Sequence, residues 1–209
     1  MKRPLAGLLF LALTAWAQNW EAGVLAGGGF YIDHPRIGGP QGGAEAGIGS
    51  GPAFGAFLTQ NLYRRLSGEI RYAYHRGDLE LSSGSRRAAF RADSHALHYD
   101  WVLHMAGRDA KVRPFVAAGA GFKMYRGTGT ETVYQTLQEV ALLTRTREWK
   151  PLLTAGAGVT VAISTSARLR LEFRDYMTPF PARVIAPAAG GTAGWLHDFA
   201  PTIGLSIRF

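Results

Sequence analysis

The chain has 209 residues, no cysteine, and 23 lysines and arginines against 15 acids, for a formal charge of +8. That length suits one domain better than two, and the missing cysteine excludes a small disulfide-stapled secreted scaffold. No stretch approaches the eighteen or more apolar residues of a membrane-spanning helix, which excludes a helical membrane protein.

The chain opens on the basic segment Met1-Lys2-Arg3, an apolar run from Leu5 to Ala15, and the A-x-A site Ala15-Trp16-Ala17. This is the order of a secretory signal peptide, so residues 1–17 are expected to be removed and the mature chain to begin at Gln18. Loss of Lys2 and Arg3 lowers the formal charge by two, to +6. Export makes nucleic acid an unsuitable partner for the remaining basic charge, and anionic headgroups or surface polysaccharide better ones.

Eight strand-like segments follow, at about 19–32, 48–61, 66–75, 91–105, 112–125, 149–163, 167–176 and 196–209. The connections alternate. Short turns lie near 62–65, 107–109 and 164–166, and long loops near 33–47, 76–90, 126–148 and 177–195. An even strand count, alternating connection lengths and segments of ten or more residues describe a transmembrane barrel with its short turns in the periplasm. Strands of a soluble sandwich are typically about half as long.

Period-two patterning assigns the faces. In the fourth segment Leu97, Tyr99, Trp101, Leu103 and Met105 oppose His98, Asp100 and His104; in the seventh Leu169, Leu171 and Phe173 oppose Arg168, Arg170, Glu172 and Arg174. The third sets Ile70, Tyr72 and Tyr74 against Glu69, Arg71 and His75. The fifth and sixth have light apolar faces, such as Ala118, Ala120, Ala155 and Ala157, opposite Gly119, Gly121, Lys123, Gly156 and Gly158. Such faces are too light to fill a sandwich core, but lipid requires only apolarity, and inward glycines leave room for long charged side chains. In the second segment either Phe54, Ala56 and Leu58 or Phe57 and its neighbours face outward. Trp20, Tyr63 and Phe209 are expected in a periplasmic aromatic girdle, and Phe30, Tyr74, Tyr125, Trp149 and Trp195 in a loop-side one; Trp101 fits neither.

The last residues, Pro201 to Phe209, alternate Ile203, Leu205, Ile207 and Phe209 with Thr202, Gly204, Ser206 and Arg208. This pattern with its terminal phenylalanine resembles the closing-strand signal of bacterial outer membrane barrels, and the mature chain as a whole is similar to the eight-stranded OmpA-like and OmpX-like barrel family. The resemblance implies an all-β, eight-stranded antiparallel up-and-down barrel with a side-chain-filled interior over 18–209. It further implies a cell outer membrane location, insertion by the outer membrane assembly machinery, and Phe209 as part of the insertion signal. The cell-wall anchoring of full-length OmpA-type proteins is not carried over.

The polar faces suggest a lumen network of Glu69, Arg71, His98, Asp100, His104, Lys123, Arg168, Arg170, Glu172 and Arg174, because a barrel of eight strands is filled by side chains and its charges must pair. Barrel closure is expected to pair Glu21 with Arg208 across the seam, joined by Arg168. No metal or cofactor site is expected: His95 points away from His98 and His104, and the latter two lie roughly 20 Å apart along a strand. No G-x-S-x-G elbow occurs, and the adjacent Ser94 and His95 point to opposite faces, so no catalytic set is found. The glycine pairs lead into no helix, so they do not form a dinucleotide cradle. The expected role is structural or adhesive, as a monomer among outer membrane lipids. Its loops are the interaction surface, and loop 126–148 is long enough to extend the barrel as a hairpin. A lipid-modifying barrel enzyme and a narrow ion pathway are the alternatives.

Overall fold

The computed structural model describes residues 20–32, 35–38, 43–188 and 194–209. The expected signal peptide and cleavage site lie outside them. The described residues form strands and loops without a helix: β1 (Trp20–Tyr31), β2 (Arg36–Ile37), β3 (Ala44–Ile48), β4 (Gly51–Asn61), β5 (Leu66–Arg76), β6 (Leu79–Ser83), β7 (Arg86–Phe90), β8 (Ala92–His104), β9 (Val112–Gly127), β10 (Ala141–Leu143), β11 (Arg147–Ala162), β12 (Ala167–Pro179), β13 (Ile185–Pro187) and β14 (Trp195–Arg208). Eight of these close into an antiparallel barrel in the order β1-β14-β12-β11-β9-β8-β5-β4, with β4 returning to β1. The all-β, eight-stranded barrel expected from the alternation is thus the fold.

Alternation carries this result physically. Most large apolar residues of the barrel strands face outward, where Tyr72, Leu97, Phe122 and Pro151 form one register row across β5, β8, β9 and β11, and Ile70, Tyr99, Ala120 and Leu153 form the next. In β4 the ambiguity resolves to Phe54, Ala56 and Leu58 outside and Phe57 inside. Tyr125 departs from its expected place in the loop-side girdle: it is buried in the lumen, two residues from the inward Lys123 on the same face of β9. Trp101 is exposed and packs on its strand neighbour. Its ring meets Tyr99 edge-on at 5.5 Å, and the Tyr99 hydroxyl in turn lies over Gly68, where an added Cβ would come within 1.9 Å of it.

Inward glycine is required where charged side chains cross. A Cβ on Gly119 would stand 2.2 Å from both the Asp100 carboxylate and the Tyr99 carbonyl, so the space a side chain would occupy belongs to Asp100.

The long loops are not simply solvated. β3 pairs with β6, and with β2 and β7 on either side they form a four-stranded sheet built from the first two loops. The β6–β7 hairpin turns at Gly84, whose φ of 59° suits glycine. Loop 126–148 differs from the self-contained hairpin expected of it. Only its base extends the barrel, to the pair Arg126 and Arg147; its β10 pairs instead with β13 of the fourth loop. The other edge of β10 is satisfied by Gln135, whose amide donates to the Leu143 carbonyl and accepts from the Leu143 amide (2.9 and 3.0 Å).

These pieces share one apolar core. Ile37, Leu79, Leu81, Leu143, Ile185 and Leu196 are all buried in a single cluster that reaches down to Tyr31 and Tyr125 at the barrel mouth. Each such side chain contributes about 1.5–3 kcal/mol when removed from water, enough together to order loops that isolated hairpins would leave fraying. The barrel therefore ends, on its long-loop side, in a folded cap.

Candidate functional site

Two places in this fold collect chemistry: the lumen and the cap above it. The middle of the lumen is a neutral cluster of three carboxylates and three guanidinium groups. Glu69 and Arg71 come from β5, Asp100 from β8, and Arg170, Glu172 and Arg174 from β12. β5 and β12 stand four strands apart in a ring of eight, so they face each other across the lumen. Arg71 pairs with Glu172 through Nη1 and Nη2 (2.9 and 2.8 Å) and with Glu69 through Nη2 (2.6 Å). In the reverse direction Arg170 reaches Glu69 (2.6 Å) while its Nε donates to Glu172 (2.8 Å). Arg174 joins Glu172 to Asp100 (2.5 and 2.7 Å), and Asp100 also meets His98 Nδ1 at 2.9 Å. Ion pairs thus span the full width of the barrel. The Arg170 guanidinium lies over the Phe57 and Phe115 rings (4.6 and 4.4 Å), which close the space around it.

A second layer lies nearer the cap. Lys123 donates to Asp198 (2.5 Å), and His75 meets the same carboxylate from across the barrel. The Tyr31, Tyr125 and Tyr176 rings surround the ammonium group at 5.0 to 5.4 Å. Of these partners only Lys123 belongs to the network expected from the sequence; Asp198, His75 and the three tyrosines do not. Inward parity on β14 and β5 is the signal that picks out Asp198 and His75.

The short-turn end holds the seam. Glu21 and Arg208 stand opposite each other in the β1–β14 register, but the expected ion pair between them does not form. Ser206 Oγ donates to Glu21 Oε1 at 2.6 Å, while Arg208 reaches toward Asp109 at 3.8 Å. Ser206 is on the same inward face as Arg208 and one step deeper, where water is scarcer and a carboxylate most needs a donor; Arg208 sits at the rim, where water can hydrate it. Arg168 likewise does not join the two but donates to the Arg108 carbonyl (2.9 Å).

His104 was also expected in the lumen network, and the fold brings Ser67 to it across 37 residues of sequence: Ser67 Oγ and His104 Nε2 are 3.1 Å apart. Ser67 also donates to Asn61 Oδ1 (3.1 Å). Ser67 thus stands between the Asn61 amide and the His104 imidazole, and it is fully buried.

Phe209 faces outward at the short-turn rim, and its backbone exchanges two hydrogen bonds with Trp20 (3.0 and 3.2 Å), the last pair of the seam. A charge near a bilayer interface costs only about 0–1 kcal/mol. Phe209→Asp is accordingly expected to leave a barrel refolded in detergent nearly as stable as wild type, while the amount assembled in the outer membrane of cells falls severalfold. Equal losses in both settings would assign Phe209 to stability alone.

No protein-family model and no curated protein matches this chain. Solved structures do. The chain is similar to the outer membrane protein OprG from Pseudomonas aeruginosa, with 12% identity and a TM-score of 0.59 over 92% of this chain and 97% of that one. It is similar to Neisserial surface protein A at 9% identity and a TM-score of 0.58, over 91% and 97% of the two chains. The outer membrane protein AlkL, solved in lipid bilayers, matches at 13% identity and a TM-score of 0.54, over 93% and 92%. The fold is that of the eight-stranded outer membrane barrels. Identities this low establish architecture and leave the role to this chain's own residues.

Proposed function

We propose that the protein is an integral outer membrane barrel, exported by its N-terminal signal, whose folded cap serves as a surface-interaction platform. The observation that supports this most is the division of labour in the structure. The lumen is crossed by paired charges contributed from opposite walls, which argues against a wide passage. The residues that remain for recognition lie on the cap, which holds its shape through an apolar core of its own. Binding at a preformed surface loses less entropy than binding by loops that must first be ordered. Among the described residues β2 and β7 are the outer strands of the four-stranded sheet, and their edges suit strand addition. Exposed arginines on β7, Arg86 and Arg87, favour an acidic ligand. Arg86 is engaged by Glu139 of the third loop at 2.5 Å, and this hydrogen bond holds the Glu139 carboxyl below its ordinary value; among the described residues Arg87 has no acid within ion-pair distance.

The test is capture of cells carrying the wild-type protein, compared with cells carrying the cap-disrupting variant Ile185→Asp, on immobilised matrix proteins and surface polysaccharides. Wild-type cells are expected to adhere to at least one surface and the variant cells to lose that adhesion at equal barrel levels. Indistinguishable capture across the whole panel would overturn the reading.

A further inference from the structure

We propose that the outward face of β5, β8, β9 and β11, at their loop-side ends, binds the phosphate groups of outer-leaflet glycolipids. This inference rests on the outer membrane reading and adds a specific lipid surface to it. Arg76, Asp93, Arg126 and Arg147 are successive cross-strand partners on these four adjacent strands. They form one register row of three cations and one anion.

Directly beneath it, two residues down each strand, is the row of Tyr74, His95, Met124 and Trp149, and beneath that the apolar rows begin. Aromatic side chains at this position mark where hydrocarbon gives way to headgroups. The arginines therefore stand at the level of the headgroups themselves and face the lipid rather than the lumen.

Geometry prepares them for an oxyanion. Asp93 grips Arg126 with two hydrogen bonds (2.9 and 2.7 Å), yet nearly half of the guanidinium-bearing side chain remains exposed at 45%. His95 Nε2 lies 3.5 Å from Oδ1 of that carboxylate, and Tyr72 donates to or accepts from His95 at 2.7 Å, so the row is anchored to the aromatic layer below it. Arg76 and Arg147 are exposed, and among the described residues neither has an acid within ion-pair distance. Planar, bidentate guanidinium groups suit phosphate better than a point charge does.

The placement is one-sided. At the same end of β1, β4, β12 and β14 the outward residues include Phe30, Ile32, Pro52, Pro179 and Trp195, with His197 of β14 held by Asp175 of β12 at 2.7 Å, and no lysine or arginine stands among them. A requirement for solubility or for general membrane anchoring would distribute cations around the whole rim. Confinement to four adjacent strands is what a bound headgroup with several phosphates requires.

The experiment uses the full chain reconstituted in phosphatidylcholine nanodiscs containing either bisphosphorylated lipid A or its dephosphorylated form, with retained glycolipid counted by native mass spectrometry. Wild type is expected to retain the phosphorylated form at least about tenfold more than the dephosphorylated one, given roughly a fivefold effect per arginine at a membrane surface. The triple variant Arg76→Gln, Arg126→Gln, Arg147→Gln is expected to lose that preference. A control double variant on the four-stranded sheet of the cap, Arg36→Gln, Arg87→Gln, is expected to keep it. Equal retention of the two lipids by wild type overturns the proposal, as does an unchanged preference in the rim variant or an equal loss in the control. If the rim variant does not fold, as judged by heat-modifiable gel migration, the comparison of the two lipids on wild type still decides. Because reconstitution places the protein in a bilayer by design, this test can fail while the cellular location stands.

Discussion

Replacing Glu69 with alanine is expected to lower the unfolding free energy of the reconstituted barrel by about 3–5 kcal/mol, because it leaves buried cations without their partner. Glu69 accepts from Arg71, Arg170 and Thr59 at 2.6 to 2.8 Å. Without it, Arg71, Arg170 and Arg174 share only Glu172 and Asp100, and the centre of the lumen carries a net positive charge. Urea unfolding followed by the shift in gel mobility measures the loss. The double variant Glu69→Met, Arg71→Met restores neutrality and is expected to recover much of the stability, since apolar replacement of a whole buried pair is often close to neutral. A single variant as stable as wild type, or a double variant worse than the sum of the two singles, would show that the charges do not work as one network.

Ile185→Asp is expected to open the cap while the barrel stays closed. Ile185 is fully buried in the cap core and sits on β13, the strand that joins the third and fourth loops. A carboxylate there costs several kcal/mol, more than the local stability of such a subdomain usually withstands. The consequence is readable by trypsin, because the cap carries Arg86, Arg87, Arg145 and Arg183 on its surface. Cleavage of the variant on intact cells is expected to be at least about tenfold faster than that of wild type, since tenfold corresponds to only about 1.4 kcal/mol of local opening. Heat-modifiable migration is expected to persist, because the lumen charges lie in a separate layer. Ile185→Val is expected to be nearly silent. Slow cleavage of the aspartate variant would mean that the loops are not held by this core.

The strands were legible because lipid on one side and a packed, polar lumen on the other impose period-two alternation that no turn interrupts for ten or more residues. Arg168, Arg170, Glu172 and Arg174 could be assigned inward from that parity alone. Which charges meet was not legible. Glu172 joins Arg71 across 101 residues of sequence, and that pairing depends on strand adjacency and tilt, which no local pattern encodes. The seam shows the same limit: parity aligned Glu21 with Arg208, but rim hydration and the deeper Ser206 decided the actual partners. The cap was hidden for another reason. Its core takes three buried residues from each of four loops, such as Ile37, Leu79, Leu143 and Ile185, dispersed among polar ones and brought together only by the fold. The alternation Leu79-Glu80-Leu81 was the readable trace of β6 in a stretch otherwise polar in composition.

The absence of cysteine permits a direct test of the arrangement as a whole. Single cysteines are placed at Tyr134→Cys, in the third long loop, and at Lys111→Cys, in a short turn, both exposed positions. Cells producing each variant are treated with a membrane-impermeant maleimide before and after permeabilisation of the outer membrane. The Tyr134→Cys protein is expected to be labelled on intact cells, and the Lys111→Cys protein only after permeabilisation. Labelling of both on intact cells, of neither, or in the reverse order would contradict a barrel that crosses the outer membrane with its cap outside.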